Sequence, residues 1–162
     1  IAIGYRHIGT AQAYENEAGV GEGVRLSGVA REELFITSKV AGEAKSYEAV
    51  SASIDESLNK LGMDYIDLMI VHSPQPWAEF REEQRYFEEN VDVWRALEDA
   101  YEAGKVKAIG LSNFLKDDME NILAHGKVKP MVNQILAHVT HTPTELIEFC
   151  QANGIVVEAY SP

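Results

Sequence analysis

Apolar positions along the chain alternate between two periodicities. Six short runs are apolar almost without interruption: Tyr5–Ile8, Leu34–Thr37, Tyr65–Val71, Val106–Leu111, Met131–Ile135 and Ile155–Ala159. Continuous runs of this length, such as Leu68-Met69-Ile70-Val71, predict parallel strands covered on both faces. Between them the apolar residues take helical spacing. After Ser46, a predicted N-cap, they fall at Val50, Ile54, Leu58 and Leu61, and Gly62 stands where a terminating glycine belongs. Val91, Trp94, Leu97 and Tyr101 form a second stripe closed by Gly104, and Met119, Ile122 and Leu123 a shorter one before Gly126. Thr142 as N-cap and Pro143 at the first helical position predict a helix through Leu146, Ile147 and Cys150 that ends at Gly154. An earlier helix is predicted from about Asn16 to Ser27, stopped by Gly28.

Strands alternating with helices imply βαβ units with right-handed crossovers. The pattern leaves a doubly wound open sheet or part of a (β/α)8 TIM barrel. No GxGxxG follows a strand, and Gly19-Val20-Gly21-Glu22-Gly23 lies inside a helical pattern with the wrong spacing, which argues against a dinucleotide-binding open sheet. A complete barrel takes ~250 residues, so 162 residues with six strands predict a partial one, a single domain over 1–162 without a linker. The longest irregular stretch runs from Ser73 to about Tyr86, after the third strand, where long loops often cover active sites.

Composition narrows the function. Hydrophobic residues make up 46% and charged residues 25%, ordinary for a globular protein, so wholesale disorder is excluded. Lys and Arg number 14 against 26 Asp and Glu, a net charge of −12 that suits neither nucleic acid nor an anionic membrane. No apolar run approaches the ~20 residues of a membrane span. The lone Cys150 permits no internal disulfide and fits a reducing, cytoplasmic setting. The start, Ile1-Ala2-Ile3-Gly4, reads as the interior of a structural element rather than a leader. His138 and His141 lie three apart in a Thr-rich stretch that reads as loop, and no metal site is expected.

In parallel α/β folds chemistry gathers at the carboxyl ends of the strands. Here those ends carry Tyr14, Lys39, His72, Ser112-Asn113, Asn133-Gln134 and Tyr160-Ser161. Singly, each would be a solvated or turn-capping residue. Together they suit proton donation at neutral pH, since a phenol beside an ammonium is a stronger acid than an isolated one and an imidazole can orient a substrate.

The sequence resembles the aldo-keto reductases. The matching stretches are Gly4-Tyr5-Arg6-His7-Ile8-Gly9-Thr10-Ala11 with Tyr14, Asn16-Glu17 and Val20-Gly21, then Arg31 to Lys39 and Asp64-Tyr65-Ile66-Asp67-Leu68 leading to His72-Ser73-Pro74. Gly104 to Phe114, Val132-Asn133-Gln134 and Glu158 to Pro162 complete the match in the same order. The resemblance implies a (β/α)8 barrel that reduces aldehydes and ketones to alcohols, or the reverse, with NADPH (NADP+) and without metal. By position it makes Tyr14 the general acid, Lys39 the lysine that assists it and His72 the residue that orients the carbonyl. Ser112, Asn113 and Gln134 match residues that hold the nicotinamide carboxamide, Tyr160 the aromatic that stacks on its ring, and Ser161 a position near the pyrophosphate. Trp77 and Phe80 in the long loop either line the carbonyl pocket or anchor the loop by packing.

Two departures accompany the resemblance. The family's catalytic aspartate, five positions before the tyrosine, is Gly9 here, which implies either an impaired enzyme or a non-catalytic, cofactor-binding or regulatory relative. Glu15 is close in sequence to the missing acid. The alignment also runs only from barrel strand two to strand seven, so the expectation is a longer working protein or a fragment closed by a partner. Around the fifth predicted strand the family often has Glu where Leu136 stands, and His138 and Val139 are likewise atypical.

Overall fold

The computed structural model describes all 162 residues. All six predicted strands form, and they pair in parallel in chain order, β1-β2-β3-β4-β5-β6. They are β1 (His7–Gly9), β2 (Phe35–Val40), β3 (Leu68–Val71), β4 (Ile109–Ser112), β5 (Val132–Leu136) and β6 (Val156–Tyr160). Helices α1 (Glu17–Leu26), α2 (Tyr47–Leu61), α3 (Phe87–Glu102), α4 (Lys116–His125) and α5 (Thr144–Ala152) alternate with them. Strands paired only with their sequence neighbours curl into part of a (β/α)8 barrel, the second of the two architectures the pattern left open.

The observed strands begin later than the apolar runs, and all but β3 also end later. Asp67 is the reason at β3: its carboxylate accepts from the Ile36 amide at 2.8 Å and from Arg31 at 2.6 Å, so the ladder starts only at Leu68. Ile66 and Val106 form an isolated bridge instead of extending β3 and β4. At the far ends, the polar residues Ser38, Lys39 and Ser112 stay within the strands.

Helix ends follow local chemistry. Ser46 caps α2 by accepting the Ala49 amide, and Gly62 at φ 63° takes the left-handed turn that closes it. Ser46→Ala is expected to lower stability by about 1 kcal/mol, read as a shift in the denaturation midpoint with unchanged m-value. The predicted cap of α5 is corrected. Thr142 Oγ1 donates to the His138 carbonyl, the helix begins at Thr144, and Pro143 occupies the capping position.

Side chains alternate between two faces. Register pairs Lys39 with Ile70, Ile70 with Gly110, Gly110 with Val132 and Val132 with Val156, which places these residues on the concave face. The opposite face carries Val40, Val71, Ile109 and Leu111 against Ile54 and Leu61 of α2, Trp94 and Leu97 of α3, and Met119 and Ile122 of α4. Gly21 lets α1 touch the end of α2, since a Cβ there would overlap the Leu61 carbonyl. No helix is long and apolar enough to cross a membrane.

Several motif residues prove to be scaffolding. Arg31 ties Asp67 to the Leu34 and Tyr65 carbonyls. The buried Glu17 of α1 accepts the Ser38 hydroxyl at 2.5 Å, and Asn16 accepts the Thr10 hydroxyl at 2.6 Å.

Candidate active site

Parallel pairing brings the carboxyl ends of all strands to one rim, and there the polar residues picked out by sequence converge. Tyr14 stands in a single 3₁₀ turn, Gln12–Tyr14, just after β1, and is half exposed. Lys39 is the penultimate residue of β2 and buried, and His72 follows β3 directly. The Lys39 ammonium lies 5.0 Å from the Tyr14 ring centroid. Tyr14 and His72 meet edge to face with centroids 5.6 Å apart. A phenol, an ammonium and an imidazole from three different elements thus border one point of the rim, as general acid catalysis on a carbonyl oxygen requires.

Burial decides the charge states. Desolvation lowers the Lys39 pKa from its ordinary value, and the charge of Glu158 on β6 opposes that fall. Its Nζ donates to the Thr10 carbonyl at 3.0 Å, so the backbone after β1 positions it. His72 is pushed down to about 4, first by desolvation and then by the Lys39 charge, so it is a neutral imidazole at neutral pH. Its Nδ1 is buried without a hydrogen-bond partner in the protein. The unfolded chain protonates this imidazole near 6.5, so the stability held at this site falls as pH drops from about 6.5 to about 4. An NMR titration is expected to place the His72 midpoint near 4; a midpoint at the ordinary histidine value would show that water reaches the ring.

Ser112, Asn113, Gln134 and Tyr160 form a second group beside the first. Ser112, Gln134 and Glu158 are register neighbours on the concave face. Asn113, at φ 63°, turns its amide inward, where Nδ2 donates to the His72 carbonyl at 3.0 Å and to Ser112 Oγ at 3.1 Å. Its Oδ1 accepts the Tyr160 hydroxyl at 2.8 Å, and Gln134 Nε2 donates to Glu158 at 2.7 Å. Neutral amides, a hydroxyl and a half-buried aromatic ring thus lie side by side at the rim. Ser161 lies exposed beyond β6 at φ 51°, away from this group's hydrogen bonds.

The Ser73–Tyr86 loop is held over the rim from inside. Buried Gln75 donates to the Glu82 and Gln84 carbonyls and accepts the Arg81 amide, cross-linking the loop to itself. Buried Asn90 of α3 donates to the Pro74 carbonyl and accepts from Lys45, whose pKa burial pushes down to about 8. Arg85 bridges Asp117 and Asp118 at the start of α4. So anchored, the loop stacks Trp77 on His72 (5.0 Å, perpendicular) and Phe80 on Trp77 (5.2 Å). Trp77 therefore borders the rim beside His72, while Phe80 packs on Trp77 and shares a cavity with Asn113 and Tyr160. A cavity of about 710 Å³ lies elsewhere, between the starts of α4 and α5.

Gly9 sits on the concave face of β1, in register with Thr37 and one diagonal step from Lys39. Glu15, the acid close by in sequence, is exposed and forms no ion pair or hydrogen bond with Lys39, whose Nζ goes to the Thr10 carbonyl. Two contributors escape motif reading, the Thr10 carbonyl and Glu158. The alternation of β6 could have signalled the second, since Glu158 shares a face with Tyr160.

The chain is therefore a partial (β/α)8 barrel with a Tyr, a Lys and a His side by side at its carboxyl rim. The Aldo/keto reductase family profile matches residues 1–162. Glyoxal reductase of Bacillus subtilis (strain 168) is 47% identical over 162 residues, 100% of this chain and 55% of that protein. An aldo/keto reductase structure from Brucella melitensis superposes with a TM-score of 0.91 at 39% identity, covering 99% of this chain and 59% of the other. Bombyx mori aldo-keto reductase AKR2E4, solved in complex with NADP, gives 0.87 at 37% identity, covering 98% and 52%. The chain belongs to the aldo/keto reductase family, and it spans about half the length of the curated relatives it matches.

Proposed function

We propose that the protein carrying this chain reduces a small aldehyde or ketone to the alcohol, or runs the reverse reaction, using NADPH (NADP+). The observation that carries this reading is the meeting of Tyr14, Lys39 and His72 at one rim. The bound cofactor supplies a hydride to the carbonyl carbon. Tyr14 gives its hydroxyl proton to the carbonyl oxygen, and the nearby Lys39 ammonium stabilises the phenolate left behind. Neutral His72 has a buried ring nitrogen without a protein partner and holds the carbonyl oxygen toward Tyr14. Ser112, Asn113 and Gln134 would hold the cofactor's carboxamide, Tyr160 would stack on the nicotinamide, and Ser161 would lie toward the pyrophosphate. Trp77 closes the substrate side. Family neighbours solved with NADP support the cofactor. The buried, unpaired Cys150 suits a reducing, cytoplasmic location.

The test is loss of NADPH absorbance on addition of small aldehydes, glyoxal first, with the full-length protein. Carbonyl-dependent consumption supports the reading; absence of nicotinamide binding overturns it. Gly9 favours a second reading, a cofactor-binding protein without turnover. That reading expects NADPH binding, no carbonyl-dependent oxidation, and no gain on Gly9→Asp.

A further inference from the structure

Between Pro74 and Pro76 stands a buried glutamine, Gln75, whose side chain is held by three backbone groups of the loop's return arm. Nε2 donates to the Glu82 carbonyl at 2.9 Å and to the Gln84 carbonyl at 2.6 Å, and Oε1 accepts the Arg81 amide at 2.8 Å. The two prolines deprive this stretch of two backbone donors, so the side-chain amide supplies links that a backbone ladder would otherwise give. Trp77 lies two residues on. Its amide donates to Glu43 Oε1 at 3.2 Å, and its ring meets His72 perpendicularly at 5.0 Å. Gly42 lets the loop come this close, since a Cβ there would crowd the Gln75 carbonyl oxygen at 3.0 Å and stand 3.7 Å from the indole nitrogen. The imidazole thus meets two aromatic rings, Trp77 and, at 5.6 Å, Tyr14.

We propose that Gln75 is a positioning residue for substrate selection: by closing the Ser73–Tyr86 loop on itself it holds Trp77 against His72 and so fixes the width of the carbonyl pocket. The inference rests on the reading of His72 as the residue that holds the carbonyl. Other contacts fix other parts of the loop. Asn90 bonds the Pro74 carbonyl at the loop's start, and Arg85 reaches Asp117 and Asp118 at its end. Gln75 joins residues on either side of the 3₁₀ turn Trp77–Glu79, so the turn that carries Trp77 is the part it encloses. The catalytic groups have separate supports. The His72 amide donates to the Val40 carbonyl at 3.1 Å, the His72 carbonyl accepts from Asn113, and Lys39 bonds Thr10. Freeing Trp77 therefore lowers the fraction of molecules with a formed pocket, which raises the apparent KM and leaves the chemical step in place.

The test is Gln75→Met in the full-length protein, with Gln75→Glu as a second variant of the same length that keeps the acceptor and loses both donors. Tryptophan fluorescence reads the loop without turnover. Trp94 is buried with its indole N–H on the Val128 carbonyl, and a change that disappears in a Trp77→Phe background belongs to Trp77. Both variants are expected to shift the emission to the red and to open it to acrylamide quenching. KM for glyoxal is expected to rise about tenfold with kcat held, as for a pocket formed in about a tenth of the molecules, and KM for NADPH to stay the same. Ile54→Val, which removes one methylene from the core against α2, is the control for a general loss of stability. Emission unmoved in both variants, an unchanged KM for glyoxal in an active protein, or a KM rise matched by Ile54→Val overturns the proposal. A freed Trp77 in a protein that reduces no carbonyl would sink the catalytic reading and leave the support of Trp77 by Gln75 standing.

Discussion

Replacing Tyr14 by Phe is expected to lower kcat for carbonyl reduction by about 10²–10⁴-fold, the range carried by a positioned general acid. The change removes one oxygen and leaves the ring, so the edge contact to His72 and the Lys39 ammonium over the ring are retained. Tyr14 is half exposed, and no protein group bonds its hydroxyl, so the fold loses little. Cofactor affinity, measured by quenching of protein fluorescence with NADPH, is expected to stay the same, because Tyr14 is absent from the Ser112–Asn113–Tyr160 group. Undiminished reduction by the Phe variant would remove Tyr14 from the acid's role.

Gly9→Asp is expected to raise kcat for a small aldehyde by about 10–100-fold, since a carboxylate one diagonal step from Lys39 restores charge pairing where burial disfavours the ammonium. The site accepts the side chain. A Cβ built at Gly9 meets nothing within 4 Å, and its backbone lies outside the left-handed region that favours glycine. The gain should appear in kcat rather than in KM for NADPH, because Gly9 lies on the Lys39 side of the rim. An unchanged rate would show that Lys39 is already fully paired.

Much of this architecture was legible in sequence because it depends on local rules. Unbroken apolar runs gave six parallel strands, Ser46 and Gly62 bounded α2, and the run Gly104 to Asn113 placed polar groups at the end of β4. Where the reading slipped, a side-chain hydrogen bond had intervened, long-range at Asp67 and local at Thr142. Asp67 was drawn off by Arg31 and the Ile36 amide, which delayed β3, and Thr142 was taken by the His138 carbonyl, which delayed α5. Neither partner is adjacent in sequence, so neither could be read from periodicity.

The identities of Tyr14, Lys39 and His72, and the absence of an acid at position 9, are properties of the sequence alone. The strand order is not, since the apolar pattern admits an open sheet as well as a barrel and only the structure pairs each strand with its chain neighbours. Which charges meet is decided only in three dimensions. Glu15, six residues from Gly9, is exposed and forms no ion pair with Lys39, whereas Arg31 meets Asp67, 36 residues further along the chain, at 2.6 Å. The physical reason is that a side chain's partners follow from strand register and sheet curvature, and both bring together residues that the chain keeps far apart.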